Sequence, residues 1–125
     1  MELQFIKMQG LGNDYVYVDT AVQEMHGIDE PALARAVSAR RFSVGADGLI
    51  VIDRCPDADV RMRMYNADGS RGEVCGNGLR CVAKYCRDAG LVTGDTVTVQ
   101  TDAGVRRARI LSGTGRTAVV EVEMG

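Results

Sequence analysis

The residues best suited to chemistry lie between Tyr65 and Cys81, in the run Y-N-A-D-G-S-R-G-E-V-C-G-N-G-L-R-C. A strand pattern ends at Tyr65, Asp68-Gly69 marks a turn, and Cys75 leads through Gly76-Asn77-Gly78 into a helix. Glycines at 76 and 78 keep side chains away from the approach to that helix start. The N–H groups of a first helical turn have no partner inside the helix. They point outward and, with the helix dipole, make a site suited to a carboxylate or a phosphate. A thiol at the same electropositive end is partly ionised. One short motif thus offers a base beside a carboxylate cradle, the pairing required to remove a proton alpha to a carboxylate. A second reading is a helix N-terminus with a buried cysteine and glycines that allow tight packing, and physics alone does not separate the two.

Further polar residues stand in turn-rich segments. Gly10-Leu11-Gly12-Asn13-Asp14-Tyr15 precedes a strand, but no G-x-G-x-x-G follows a strand and opens a helix, so dinucleotide binding has little support. Asn13 offers either an amide to a polar substrate or an ordinary turn residue, and Asn66 beside Asp68-Gly69 carries the same two readings. Gly45-Ala46-Asp47-Gly48 is a turn before a strand, where structural glycine is the default. The four cysteines are Cys55, Cys75, Cys81 and Cys86, and the single histidine is His26. The spacing Cys75-x5-Cys81-x4-Cys86 lacks the CxxC-type pairs of zinc sites, so no metal site is expected. Cys81 and Cys86 read as packing residues.

The elements that must position these groups are short strands and two helices. Strands are expected at Leu3–Lys7, Tyr15–Thr20, Gly48–Asp53, Val60–Tyr65, Thr96–Thr101, Val105–Leu111 and Ala118–Met124, with a hairpin around Asp102-Ala103-Gly104. In the fourth, Val60, Met62 and Met64 share one face and Arg61 and Arg63 the other. A first helix is expected over 30–41, capped by Asp29 with Pro31 in its first turn and an inner stripe of Leu33, Ala36, Val37 and Arg40. A second runs from about Gly76 or Asn77 to Asp88 or Ala89, with Leu79, Val82, Ala83 and Cys86 on one apolar face, Cys81 and Tyr85 widening it, and Gly90 as its stop. A helix apolar over most of its girth is buried. The expected fold is therefore α/β (α+β), a strongly curved, mainly antiparallel, barrel-like sheet around the 76–89 helix, with the first helix outside.

The 125 residues, 46% of them hydrophobic, suffice for one domain with a real core. Charged residues make up 26% and the net charge is −2, with no basic run longer than two residues, so nucleic-acid binding has no electrostatic footprint. No apolar stretch approaches the roughly 18 residues of a membrane span. The first ten residues, MELQFIKMQG, lack the apolar segment of a signal peptide, and the expectation is a cytosolic protein with free thiols and no membrane partner.

K-M-Q-G-L-G-N-D-Y at 7–15, G-A-D-G-L at 45–49 and N-A-D-G-S-R-G-E-V-C-G-N-G-L-R-C at 66–81 resemble, in order and approximate spacing, the diaminopimelate epimerase family. The third segment is the most specific, and the last hairpin region is the least distinctive. The resemblance implies interconversion of LL- and meso-2,6-diaminopimelate without pyridoxal phosphate, metal or other cofactor. In that family two cysteines face opposite sides of the substrate alpha carbon, one removing a proton as thiolate and the other delivering one as thiol. Position by position, Cys75 resembles one of this pair, Gly76 and Asn77 the main-chain donors to the substrate carboxylate, and Asn13 and Asn66 the side-chain ligands. The family's chains are about twice this length, built of two similar halves, and the other cysteine lies in a segment that nothing here matches. Residues 1–125 thus correspond to the N-terminal domain, with the C-terminal domain outside this chain. The resemblance also implies that the fold is completed by residues near the end of the full-length chain. Cys81, one and a half turns beyond Cys75, cannot reach the opposite face of a substrate held at the helix start. Alternatives are a proline racemase-like enzyme, disfavoured because that family shows His where Asn77 stands, a phenazine-type isomerase without the cysteine base, a non-catalytic amino-acid-binding domain, and a homodimer presenting two Cys75 thiols across one cleft.

Overall fold

The structure, a computed structural model, describes residues 4–10, 13–39, 46–72, 76–112 and 119–123. In chain order the elements are β1 (Ile6–Gly10), β2 (Asn13–Asp19), α1 (Glu30–Ser38), β3 (Gly48–Asp53), β4 (Val60–Asn66), α2 (Gly76–Asp88), β5 (Thr96–Thr101), β6 (Gly104–Ser112) and β7 (Val119–Glu123). The strands form one sheet in sequential order. Four neighbouring pairs are antiparallel, while β2–β3 and β4–β5 are parallel.

A parallel pair needs a crossover, and α1 and α2 supply the two. Because β3 and β4 are antiparallel, the second crossover starts from a strand of reversed direction. Right-handed crossovers that advance the same way along the sheet must then lie on opposite faces. The packing follows that rule. Tyr15, Tyr17, Ile50, Ile52, Met62 and Met64 face α2 and bury Leu79, Val82, Ala83 and Cys86. The alternate residues Val16, Val18, Leu49, Val51 and Tyr65 face α1 and bury Ala34 and Val37. Strand β3 is therefore buried on both faces, which explains its unbroken run Leu49-Ile50-Val51-Ile52. Helix α2 packs against both β1 and β7, the two ends of the strand order, so the sheet curls around it as a half-barrel.

The caps act as the sequence leads one to expect. Asp29 accepts a hydrogen bond from the Ala32 N–H, and Pro31 sits in the first turn of α1. At the end of α2 the Leu91 N–H donates to the Cys86 carbonyl at 2.8 Å and the Gly90 N–H to that of Arg87 at 3.1 Å. This is the double bond of a Schellman stop, and it requires the left-handed Gly90, φ 75°. Leu91 then packs on the α2 core.

Two expectations shift. Strand β1 runs over Ile6–Gly10 and leaves out Gln4 and Phe5 of the expected 3–7 strand, because its extent is set by pairing with β2 from Ile6↔Tyr17 to Gly10↔Asn13; Leu3 lies outside the described residues. In α1 the inner alanine is Ala34, and Ala36 is exposed. The helix ends at Ser38 with an extended Ala39, and Arg40 lies outside the described residues. Among the described residues no helix is long and apolar enough to cross a membrane.

Candidate active site

The three motif segments meet at one rim of the half-barrel. The Asp14 N–H donates to Asp47 Oδ2 at 2.8 Å, and the Asp47 N–H donates to the Asp14 carbonyl at 2.5 Å. This reciprocal pair fastens the start of β2 to the start of β3. Lys7 Nζ lies 3.1 Å from Asp14 Oδ2 and brings in β1. In register, Tyr15 pairs with Gly48 and Gly48 with Asn66, so the start of β2, the start of β3 and the end of β4 are level. Gly48 is required by close approach: a Cβ there would lie 2.3 Å from the Tyr65 carbonyl oxygen.

Asn66, the last residue of β4, is exposed, and its Nδ2 donates to Ser70 Oγ at 3.0 Å. The turn beyond it is tightly tied. The Asn66 N–H donates to the Ser70 carbonyl at 2.8 Å, and the Gly69 N–H to the Asn66 carbonyl at 2.9 Å. Ser70 donates its hydroxyl and its N–H to Asp68 Oδ1, which holds the Asp68 carboxyl below its ordinary range. Gly69 has φ 89° and lies so close to α1 that a Cβ would meet Arg35 Nη1 at 2.4 Å. The chain returns along β4, with the Gly72 N–H donating to the Met64 carbonyl at 2.7 Å. Gly76 follows four residues later, which limits it to within roughly 14 Å of Gly72.

Gly76 and Asn77 are the first two residues of α2, both half-buried. Tyr17 Oη lies 3.5 Å from the Gly78 carbonyl, a long contact between the first turn of α2 and β2. Asn13 is the first residue of β2, opposite Gly10, two positions beyond the level of Gly48 and Asn66. The backbone thus brings Asn13 and Asn66 to one rim, while Gly76 and Asn77 open α2. Cys75 lies outside the described residues, directly before Gly76.

Sequence reasoning missed Arg80. Its Nη1 donates to Asn77 Oδ1 at 2.9 Å, and its Nε to the Val120 carbonyl of β7 at 3.2 Å. The signal was the three-residue spacing from Asn77, which places two helical side chains side by side. Of the other thiols, Cys81 is buried on the core face of α2, and Cys86 and Cys55 stand farther from the helix start. Cys86 is fully buried among core side chains, and that burial pushes its thiol up to about 12. Cys55 Sγ contacts the Ala58 carbonyl at 3.7 Å, beyond the opposite end of β3. A cavity of about 160 Å³ also lies away from the motif residues, between Phe5, Ile6, Tyr17, Asp19, Ile52 and Tyr85.

The half-barrel around a helix recurs in solved structures of low sequence identity, a likeness of fold alone. It matches a crystal structure of methylitaconate-delta-isomerase with a TM-score of 0.73 at 16% identity, covering 93% of this chain and 36% of that one. It also matches a probable proline racemase from Agrobacterium radiobacter with a TM-score of 0.67 at 20% identity, over 98% of this chain and 42% of that one. Residues 5–125 match the family model for diaminopimelate epimerase. The chain is 52% identical to the diaminopimelate epimerase of Desulfovibrio desulfuricans over 124 residues, and 47% identical to that of Moorella thermoacetica over 123. It belongs to the diaminopimelate epimerase family. The alignments take in 98% of this chain but only 42% and 44% of those relatives, so it spans less than half of their length.

Proposed function

We propose that this chain supplies one face of the active site of a cofactor-independent epimerase that interconverts LL- and meso-2,6-diaminopimelate. The reading is supported by Asn13 and Asn66 lying along one rim of the sheet and by Gly76 and Asn77 opening α2, with Cys75 directly before Gly76 in sequence. In this reading the N–H groups of Gly76 and Asn77 take the substrate's alpha-carboxylate, and the amides of Asn13 and Asn66 orient the rest. Cys75, as thiolate beside the positive end of α2, removes the alpha proton. The charge that develops spreads onto the carboxylate, where donors already in place stabilise it without reorganising. A thiol on the opposite face returns a proton to carbon, leaving Cys75 protonated and its partner ionised until solvent exchange resets the pair.

The opposing thiol is not sought among Cys81 and Cys86. Both lie on the buried face of α2 and are closed to substrate, and the Cys86 thiol, pushed up to about 12, is also a poor acid at neutral pH. It is expected in the part of longer relatives that this chain does not span. The test is epimerisation by the protein at its natural length, with diaminopimelate and proline as competing substrates. Loss of turnover in Cys75→Ala, with a preference for diaminopimelate in the unaltered protein, supports the reading. Turnover that survives Cys75→Ala contradicts it.

A further inference from the structure

We propose that Arg80 is a positioning residue of this site, setting the first turn of α2 for an anionic ligand; the inference rests on the reading above. Arg80 makes two hydrogen bonds in different directions, Nη1 to Asn77 Oδ1 at 2.9 Å and Nε to the Val120 carbonyl at 3.2 Å. The first ties it to the residue expected to donate to the substrate carboxylate. The second fastens it to β7, an end strand of the sheet, which is half-buried at Val120. A planar guanidinium holds two such directions at once, whereas an ammonium on a flexible stem does not.

The charge is unusual for its place. Helix first turns favour acids, and a cation near an N-terminus opposes the dipole. Here the first turn has no acidic residue, and an arginine follows one turn in. A guanidinium at this point is unfavourable to an empty helix and favourable to one whose N-terminus carries an anion. Arg80 therefore shifts the balance toward carboxylate binding while its two bonds fix Asn77 against β7. It does not touch the reacting carbon, so its removal weakens substrate binding more than it slows the proton transfer.

The test uses the protein at its natural length, with Arg80→Met, Arg80→Lys, Asn77→Ala and the double variant Arg80→Met/Asn77→Ala. Arg80→Met is expected to raise KM for diaminopimelate about tenfold, about 1.4 kcal/mol, with kcat within about threefold. Arg80→Lys, which keeps the charge but loses one of the two bonds, is expected to raise KM about threefold. In the Asn77→Ala background the effect of Arg80→Met should shrink to below about threefold, because the two residues act together. If Arg80→Met fails to fold, Arg80→Lys decides by the same criterion. Unchanged KM in a protein that turns over diaminopimelate overturns the inference alone, as does an equal rise in KM with and without Asn77. A fall in thermal stability with KM unchanged marks a structural bond only and also overturns it. Unaltered protein that does not turn over diaminopimelate overturns the reading and the inference together.

Discussion

Gly48→Ala places one methyl group where the structure has no room. The new Cβ would stand 2.3 Å from the Tyr65 carbonyl oxygen and 3.5 Å from Asn66 Cα, both backbone atoms of β4. Neither can swing aside as a side chain does. Restoring an ordinary contact needs β3 and β4 to separate by about 1 Å at this rung. The Gly48↔Asn66 pair ends the β3–β4 ladder, so the strands can splay there without losing the pairs from Leu49↔Tyr65 onward. The stability cost is therefore that of modest overpacking, about 1–3 kcal/mol. The functional cost is larger, since a misplacement of about 1 Å in a positioning group can reduce turnover about a hundredfold. Urea unfolding and steady-state epimerisation of the natural-length protein measure the two effects. A variant within about 0.5 kcal/mol in stability and twofold in kcat/KM would refute the claim that this close approach sets Asn66 in the site.

Leu79→Ala removes a fully buried side chain from the face of α2 against the concave sheet and is expected to cost about 2–5 kcal/mol in urea unfolding. Asp19 is nearly buried, which by itself would raise its carboxyl, yet bonds from Arg54 at 3.0 Å, Tyr85 Oη at 2.5 Å and the Ala21 N–H hold it below the ordinary range. A lowered carboxyl stabilises the fold above its unfolded-state pKa, about 3.9, and loses that contribution as pH falls through the folded value. Tyr85→Phe should therefore destabilise at neutral pH, begin to converge on the parent as the pH drops below about 4, and approach it only below the lowered folded value, as pH-dependent unfolding will report. Cys86 should resist maleimide at pH 8 in the folded protein and react on unfolding, because its thiol is both buried and pushed up to about 12.

Much of this fold was legible because its signals are local. The α2 face of Leu79, Val82, Ala83 and Cys86 follows from helical spacing, and all four are fully buried. The hairpin at 102–104 follows from turn chemistry: β5 and β6 close at Thr101↔Gly104, where Gly104 has φ 110°. What the sequence withheld depends on distant partners. The extent of β1 is decided by β2, and the choice of Ala34 over Ala36 by which side of α1 meets β3 and β4, which two alanines cannot encode. The parallel pairs β2–β3 and β4–β5 need the crossovers to be seen in space. The separate core under α1 was hidden for the same reason. At the candidate site, the run around Cys75 pointed to Gly76 and Asn77 and the family resemblance to Asn13 and Asn66, whereas Arg80 was masked by its likeness to any exposed helical arginine.

The most direct test of the central claim is solvent deuterium wash-in at the alpha carbon of LL-diaminopimelate, under reducing conditions, with the natural-length protein and its Cys75→Ala variant. Rapid exchange that disappears in Cys75→Ala is the predicted result and assigns alpha-proton abstraction to this thiol. Exchange at the same rate in both would contradict the account, because the base would then lie elsewhere.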